Sequence, residues 1–444
     1  MMKREKHNSQ GIKVINIHAA GIDVGTEKIF ISVYGEPVRS FDTYTSSLQE
    51  AKQYLISQKV DTVAMESTGV YWIPIYEILE ASGIKVCLVN GAHVKNLPGR
   101  KTDVKDCEWI RELHSYGLLR PSFIPDERIR VIRAYVRLRD DHIQMAASHI
   151  QHMQKALDMM NVKLHQVISQ LTGVSGIRII KAILNGERNS EKLVSLCESS
   201  ILNKKRAEVI RSLEGNYKKE HLFALAQALD CWEFYQKKIV ECDKEIGTML
   251  EDMGKDKEPP QNIQAAKPIR HHKPEIDDLH VKLMTITDGK DVARLAGLTD
   301  LTVMQLISEL GIDMSPWKTE KYFTSWLGLS PCSHSSGKSK KRCKIKNKNR
   351  AGQIFRESAQ SVGNSKYLAL GGFFRRIKSR AGNKVAIKAT ARKIAVLYYR
   401  VMKYGIEYVE EGLKKYEMKY KDMLIKSLQK KALSLGMLLV PSNV

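Results

Sequence analysis

The sequence lacks paired cysteines and long apolar runs. Its seven cysteines are scattered and form no C-x-x-C pair, which argues against a zinc site and against a disulfide framework. No stretch approaches the roughly 18 apolar residues that a membrane span needs, and no apolar segment follows the charged start MMKREKHNSQ. We therefore expect neither export nor membrane insertion, and a reducing cytoplasm fits the unpaired cysteines.

Acidic residues are also in short supply. The 444 residues carry 72 Lys and Arg against 49 Asp and Glu, a formal net charge of +23. A basic surface can serve solubility alone, but this balance favours a polyanionic partner, because neutralised phosphates release counterions. The length suits about three domains on the usual prior.

The first 124 residues predict a mixed α/β fold. INIHAAGIDVG and TEKIFISVYG predict a strand hairpin over residues 15–34 that breaks at Gly25. The remaining pattern predicts a strand over 37–44, a helix over 48–56, a strand over 62–68, a helix over 70–81, a strand over 85–90 and a helix from Thr102. This order of three antiparallel strands extended by parallel ones is typical of the RNase H-like fold.

Four carboxylates stand at informative places in this pattern. Asp23 lies in the central strand and Glu66 closes the fourth, so both should meet at one end of the sheet. Asp103 and Asp106 are three residues apart and share one face of a helix. Crowded carboxylates repel unless a cation lies among them, and Mg²⁺ or Mn²⁺ suits hard oxygen ligands. Alternatively, Asp103 caps its helix and Asp106 is solvated.

A long helical stretch follows. Apolar residues from Ile129 to Leu164 fall into three- and four-residue steps that Arg139 alone interrupts, which predicts a coiled-coil helix over 125–165. We expect dimerisation through it; a helical hairpin within one chain is the alternative. Residues 166–253 read as helical and 254–275 as a linker, in which His271 and His272 receive no role.

Residues 276–444 are predicted to form a mainly α-helical C-terminal domain. VARLAGLTDLTVMQLISELGI at 292–312 predicts a helix-hairpin-helix-like unit with its hinge at Gly297. The segment GKSKKRCKIKNKNR has no acid, and its expected nucleic-acid contacts are Lys338, Lys340, Lys341, Arg342, Lys344, Lys346, Lys348 and Arg350. The preceding SHSSG places a serine where a hydroxyl could attack a phosphodiester, although such a pair is usually a turn.

The chain resembles the DEDD-motif insertion-sequence transposases, a family of RNA-guided DNA recombinases, over nearly its whole length. The motifs that carry the likeness are GIDVG, AMESTGVYW, GRKTDVKDCEWI, ISELGIDMSPWKTEKYFTSWLGLSP, SSGK and FRESAQSVGNSKYLALGGFFRRIKSRAG. By position, the DEDD set falls on Asp23, Glu66, Asp103 and Asp106, and the serine nucleophile falls on Ser336. The family commonly has Ser-Gly-Gly where this chain has Ser-Gly-Lys, and Ser335 leaves a register alternative.

The resemblance implies a RuvC-like N-terminal domain, magnesium on the carboxylates, and a C-terminal transposase domain that forms a covalent serine–DNA intermediate. It also implies element ends and target DNA as substrates, a structured guide RNA, dimers that pair into tetramers, and action in the prokaryotic cytosol on the nucleoid. Two other functions remain open. One is a metal-dependent nuclease or junction resolvase without a serine intermediate, and the other is a non-catalytic nucleic-acid-binding scaffold.

Overall fold

The chain divides into two units, Met1–Ile124 and Pro125–Val444. A computed structural model describes residues 13–91, 103–261, 263–331, 333–336, 339–342, 349–366, 368–438 and 440, with the backbone alone at 333–336, 339–342 and 410–413. Within these residues the first unit is mixed α/β with a five-stranded sheet, and the second is mostly helical.

The sheet of the first unit is built on its first strand. Its strands are β1 (Ala19–Val24), β2 (Lys28–Val33), β3 (Arg39–Asp42), β4 (Thr62–Glu66) and β5 (Lys85–Val89). They lie in the order β3-β2-β1-β4-β5, in which β1, β2 and β3 pair antiparallel and β4 and β5 extend the sheet in parallel. The expected central place of β1 and the mixed pairing are therefore observed, while β3 and β4 are shorter than predicted.

Helices cover both faces of this sheet. They are α1 (Thr45–Ser57), α2 (Trp72–Ala81) and α3 (Asp103–Ser115). One face, with Ile22, Ile31 and Met65 fully buried, shares a large apolar core with α1 and α2. On the other face a smaller core joins the sheet to α3 through Ala64, Val89 and Ile110. This second face is the one that bears the acidic residues.

Two long helices dominate the second unit. Its elements are α4 (Glu127–Met159), α5 (Leu164–Val167), α6 (Val174–Leu184), α7 (Ser190–Val194), α8 (Ser199–Ser212), α9 (Lys219–Gly254), α10 (Leu279–Ile286), a 3₁₀ turn (Val292–Arg294), α11 (Asp300–Leu310), α12 (Glu320–Trp326), β6 (Ser333–Ser336), β7 (Ser339–Arg342), α13 (Arg350–Asn364), α14 (Ala369–Ala381), α15 (Asn383–Tyr404) and α16 (Glu407–Ser434). Asp126 caps α4, because its side chain accepts a hydrogen bond from the Ile129 amide at 3.1 Å.

The apolar side of α4 packs against α9 of the same chain. Met153, Ala156 and Leu157 of α4 share a core with Leu225 and Leu229 of α9. These contacts are those expected of the intrachain alternative, and dimerisation through α4 stays a prediction. The helix ends at Met159, so the apolar steps predicted as far as Leu164 continue into the separate short helix α5.

Arg139, the one interruption of that apolar pattern, is buried in an ion pair. Its side chain and that of Asp243 on α9 are each 1% exposed, and its Nε donates to Asp243 Oδ1 at 2.5 Å. The Arg139 Nη2 also donates to the His272 carbonyl oxygen at 3.0 Å. The break in the sequence pattern is therefore a neutralised charge inside the α4–α9 contact.

The predicted linker at 254–275 makes contacts with the rest of its unit, and the predicted hinge unit is only partly helical. In this segment Lys267 Nζ donates to the carbonyl oxygens of Leu295 at 2.7 Å and Arg294 at 3.1 Å. The expected first helix of the helix-hairpin-helix-like unit is only the 3₁₀ turn, and Gly297 follows with φ +84°. A Cβ at Gly297 would lie 2.5 Å from Val362 Cγ2, so close packing explains this glycine.

None of the described helices combines the length and apolar composition that a membrane crossing requires.

Candidate functional site

Asp23 and Glu66 lie at the same end of the sheet. β1 and β4 are parallel, with Ile22 opposite Met65, and the next residue of each strand is the acid. Neighbouring strands lie about 4.8 Å apart, and side chains at matching register positions share a face. Each acid is partly buried and follows a fully buried residue. The backbone therefore sets both carboxylates at the carboxyl ends of β1 and β4, on one face of the sheet.

Helix α3 runs antiparallel to these strands. Its last residue, Ser115, accepts hydrogen bonds from the amides of Ile15 at 2.8 Å and Asn16 at 3.0 Å, just before β1. At the same end, His114 Nε2 lies 2.9 Å from Thr62 Oγ1 at the start of β4. The N-terminus of α3 consequently lies toward the carboxyl ends of the strands.

Asp103 and Asp106 occupy the first turn of α3. The buried stripe of this helix consists of Cys107, Ile110 and His114, and Asp103 continues it by one further step of four residues. Asp103 is exposed and Asp106 is partly buried. Antiparallel packing of α3 thus carries both aspartates toward the edge that bears Asp23 and Glu66.

The thiol of Cys107 lies near enough to Asp23 for the charge of this aspartate to affect its pKa. Burial, and then the negative charge of Asp23, raise the pKa of the Cys107 thiol to about 12. The thiol therefore stays protonated at neutral pH, and its Sγ donates to the Val104 carbonyl oxygen at 3.0 Å. Cys107 acts as an apolar packing residue beside the acidic edge, and it is not a nucleophile.

Two glycines make room at this edge. A Cβ on Gly21 would lie 2.2 Å from the Cys107 carbonyl oxygen, so only glycine lets α3 approach β1 this closely. A Cβ on Gly91 would lie 2.1 Å from Glu66 Oε1, and Thr68 Oγ1 donates to the same oxygen at 3.3 Å. Gly21, Gly91 and Thr68 were not singled out from the sequence, although a lone glycine inside a strand is a recognised signal of close backbone approach.

The strand register and the packing of α3 direct the four carboxylates toward one edge of the sheet. Among the described residues, no three His, Cys, Asp or Glu side chains are grouped closely enough to hold a metal ion. The register thus sets Asp23 and Glu66 side by side, and metal ligation by the four acids stays a prediction.

The predicted serine lies in the second unit, at the end of a strand. Ser336 is the last residue of β6, which pairs antiparallel with β7 so that Ser336 is opposite Ser339 and Ser335 is opposite Lys340. Gly337 and Lys338 lie outside the described residues. Ser336 thus stands in the terminal residue pair of the β6–β7 ladder.

The predicted basic segment is only partly described. Lys340, Lys341 and Arg342 form β7, whereas Lys338, Lys344, Lys346 and Lys348 lie outside the described residues. Arg350 begins α13, and its Nη2 donates to Asp140 Oδ2 at 2.9 Å. Its assignment as a nucleic-acid contact thus gains no support, because this side chain is engaged within the chain.

Arg350 belongs to an ion-pair network around Glu309, whose side chain is 9% exposed. Arg350 Nε lies 3.8 Å from Glu309 Oε1. Arg137 of α4 donates to the two Glu309 carboxylate oxygens at 2.8 and 2.7 Å, and this hydrogen bonding raises the pKa of Arg137. Arg133 donates to the Ser308 and Glu309 carbonyl oxygens at 3.0 and 2.8 Å. The network fixes the start of α13, just after the serine hairpin, to α4 and α11.

Comparison with known protein families matches both parts of the chain. The model named DEDD_Tnp_IS110, described as a transposase, matches residues 20–162, and the IS116/IS110/IS902 transposase family matches residues 290–366. The chain belongs to the IS110 family of transposases. Comparison with curated proteins returns no match.

The two IS110-family matches contain every predicted catalytic residue. The first spans the four carboxylates, and the second spans Ser336 and the Glu309–Arg350 network. IS110-family membership identifies the chain as a DNA-processing enzyme of insertion sequences, with DNA as its partner. The resemblance inferred from sequence motifs is therefore confirmed at the level of the family.

Proposed function

We propose that this transposase cleaves and exchanges DNA strands at the ends of an insertion sequence through a serine–DNA intermediate. Family membership supports transposition. The observation that carries the carboxylate part is the parallel register of β1 and β4, which brings Asp23 and Glu66 to one sheet edge. An RNase H-like, RuvC-like fold for the first unit agrees with the strand order β3-β2-β1-β4-β5.

In the proposed reaction the Ser336 hydroxyl attacks a phosphodiester. A bond forms between its Oγ and phosphorus, a bond from phosphorus to one deoxyribose oxygen breaks, and the hydroxyl proton ends on that leaving oxygen. Attack by a deoxyribose hydroxyl of the partner strand reverses these changes and frees Ser336. One phosphate ester replaces another in each step, so strand exchange needs no external energy source.

The carboxylates would hold the metal ion. Asp23, Glu66, Asp103 and Asp106 offer only hard oxygen donors, which fit Mg²⁺ or Mn²⁺ and disfavour softer metals. When bound, such an ion stabilises negative charge on phosphodiester oxygens. The contribution of the chain is to place the acids: the register of two strands sets one pair, and the antiparallel packing of α3 on Gly21 directs the other pair.

The serine mechanism is tested with Ser336→Ala and Ser335→Ala in the full chain. We expect Ser336→Ala to lose both the covalent protein–DNA adduct, seen on a denaturing gel, and strand-transfer product. Ser335→Ala, one residue away on the same strand, should keep both. Loss in Ser335→Ala alone would move the nucleophile by one residue, and an adduct retained in both variants would exclude a serine intermediate and favour the metal-dependent nuclease.

The carboxylate site is tested with two aspartates at opposite ends of the sheet. Asp23→Asn should lower DNA cleavage by at least about a hundredfold, because a metal-bound site depends on its full ligand set. Asp61→Asn is the matched control, since Asp61 precedes β4 at the far edge. Equal activity of the two variants would contradict a catalytic role for the acidic edge, as the non-catalytic scaffold requires.

The guide RNA and the tetramer are proposed from the family resemblance. A structured RNA would read the element ends and the target by base pairing, and dimers pairing into tetramers would hold two duplexes together. Ribonuclease treatment of the purified transposase should abolish target-specific recombination, and a transcript from the flanking DNA should restore it. Specific recombination by RNA-free protein would contradict this part of the proposal.

A further inference from the structure

The helices that follow the serine hairpin carry an extreme excess of positive charge. From Arg350 to Tyr404 the sequence has thirteen Lys and Arg residues and one acid, Glu357. Helices α14 and α15 contain no Asp or Glu at all. This region lies beyond the basic segment at 337–350 from which nucleic-acid contacts were predicted.

Several of these cations are satisfied within the chain. Arg350 pairs with Asp140 and Glu309, and Arg400 donates to the Glu320 carboxylate at 2.6 and 3.0 Å. Lys393 Nζ lies over the Phe373 ring at 4.1 Å. Such contacts are ordinary structural roles.

A second group has no such partner. Arg356, Lys384, Lys388 and Arg392 form no ion pair with an acid within the described part of the chain. Arg356 contributes only a long contact from Nη1 to Gln353 Oε1 at 3.5 Å. We name these four residues the cation row.

The packing of α13 against α15 concentrates the charge of this row. Lys384, Lys388 and Arg392 are spaced by four residues on α15, so they share one face with a rise of about 6 Å between neighbours. Arg356 of α13 lies close enough to Lys388 that their charges interact. Burial first, and then the positive charges of Arg356 and Arg392, lower the pKa of Lys388.

Such an arrangement is unfavourable for the isolated protein. Arg356, Lys388 and Arg392 are partly buried. The packing of α13 against α15 brings their charges close enough to repel one another, and within the described residues no acid pairs with them. The cost is offset if a polyanion covers the row.

We propose that the cation row binds the phosphate backbone of a duplex DNA arm beside the serine hairpin. A row of cations spaced by about one helical turn suits the repeating phosphates of a nucleic-acid backbone, and contacts to phosphates position DNA without reading its sequence. Helix α13 begins eight residues after β7, which makes DNA the partner because the adjacent hairpin is proposed to act on DNA. The identity of the partner thus rests on the proposed function.

The test neutralises the three partly buried residues of the cation row and measures how DNA binding depends on salt. The triple variant Arg356→Gln, Lys388→Gln, Arg392→Gln is compared with a control triple, Lys204→Gln, Lys237→Gln, Lys244→Gln. The control removes the same charge from exposed positions on α8 and α9. Fluorescence anisotropy with a labelled duplex of arbitrary sequence gives Kd over a series of salt concentrations.

We expect the row variant to weaken binding about tenfold or more. The slope of log K against log salt should fall by about 0.9 for each phosphate that the variant no longer neutralises. The control triple should keep the wild-type slope. Equal slopes in the two variants would overturn the proposal. Weaker binding to single-stranded RNA with unchanged binding to duplex DNA would overturn the assignment to DNA.

A charge-preserving variant separates binding from folding. Arg356→Lys, Lys388→Arg, Arg392→Lys should keep the slope, and the Gln triple should melt no lower than wild type because it relieves repulsion. A reduced slope in the charge-preserving variant would also overturn the proposal. The assay involves no DNA cleavage, so Ser336→Ala protein should bind as wild type, and failure of the serine mechanism would leave this result unaffected.

Discussion

Two helix contacts in the second unit differ in whether their buried cations are paired with acids. Where α4 packs on α9, the buried cation Arg139 has an acid of the same chain beside it, and both side chains are almost completely covered. Where α13 packs on α15, Arg356, Lys388 and Arg392 are partly buried, and no acid pairs with them in the part of the chain that the structure describes. The first cation is neutralised within the folded chain, whereas we propose that a bound polyanion neutralises the second group.

The physical basis of this difference is desolvation. An ion taken out of water is destabilised unless an opposite charge or hydrogen bonds replace its hydration. Asp243 and the His272 carbonyl oxygen do so for Arg139. For the cation row, the phosphates of a bound nucleic acid would replace the lost hydration. Neutralising the row should therefore not lower the free energy of unfolding of the protein without nucleic acid.

The largest expected effect is at the neutralised pair. Arg139→Met should lower the free energy of unfolding of the second unit by about 3–5 kcal/mol, because it leaves Asp243 buried without its cation. Chemical denaturation measures this loss. Arg178→Met on the exposed side of α6 is the control and should change it by less than about 0.5 kcal/mol.

A double variant sharpens this result. Arg139→Met with Asp243→Leu should recover most of the lost stability, since replacing both members of a buried ion pair is often close to neutral. If the single and double variants are equally unstable, the packing of the Arg139 side chain matters more for stability than its charge. The contrast between a neutralised cation and the cation row would then fail.

A smaller loss is expected at Glu309, where the acid is buried but its cations are partly exposed. Glu309→Gln should cost about 1.5–3 kcal/mol, because charged hydrogen bonds to Arg137 are lost. Thermal melting compared with exposed Glu245→Gln measures it. Stability equal to that of the control would mean that this network does not fix the start of α13.

The smallest change is expected in the cation row. Lys388→Met should leave the free energy of unfolding within about 0.5 kcal/mol of wild type or raise it, since the substitution removes a repelled charge and keeps an unbranched side chain. The same denaturation experiment applies, with Lys237→Met as control. A loss like that of Arg139→Met would show that Lys388 is a structural residue with a partner inside the chain.

The value of sequence patterns differed between the two units. The central place of β1 and the shared edge of Asp23 and Glu66 followed from the order of the predicted strands and helices, because crossover connections restrict how parallel strands can be arranged in one sheet. The approach of α3 did not follow, since it depends on the absence of a side chain at Gly21 opposite a helix more than eighty residues away. The second unit gave a helical pattern, but a periodic apolar stripe does not identify the helix that covers it.

The sequence by itself determined the family, the mixed α/β start, the positive charge and the residue types of the predicted site. Only the tertiary structure decided which charges are matched. In the sequence Arg139 interrupts an apolar stripe, and in the fold Asp243 of α9 neutralises its charge. Arg350 belongs to a basic run in the sequence but pairs with acids in the fold. Arg356, Lys388 and Arg392 are separated along the chain and come together in the fold, where none of the described acids pairs with them. Electrostatic energy depends on distance in space, and folding sets that distance.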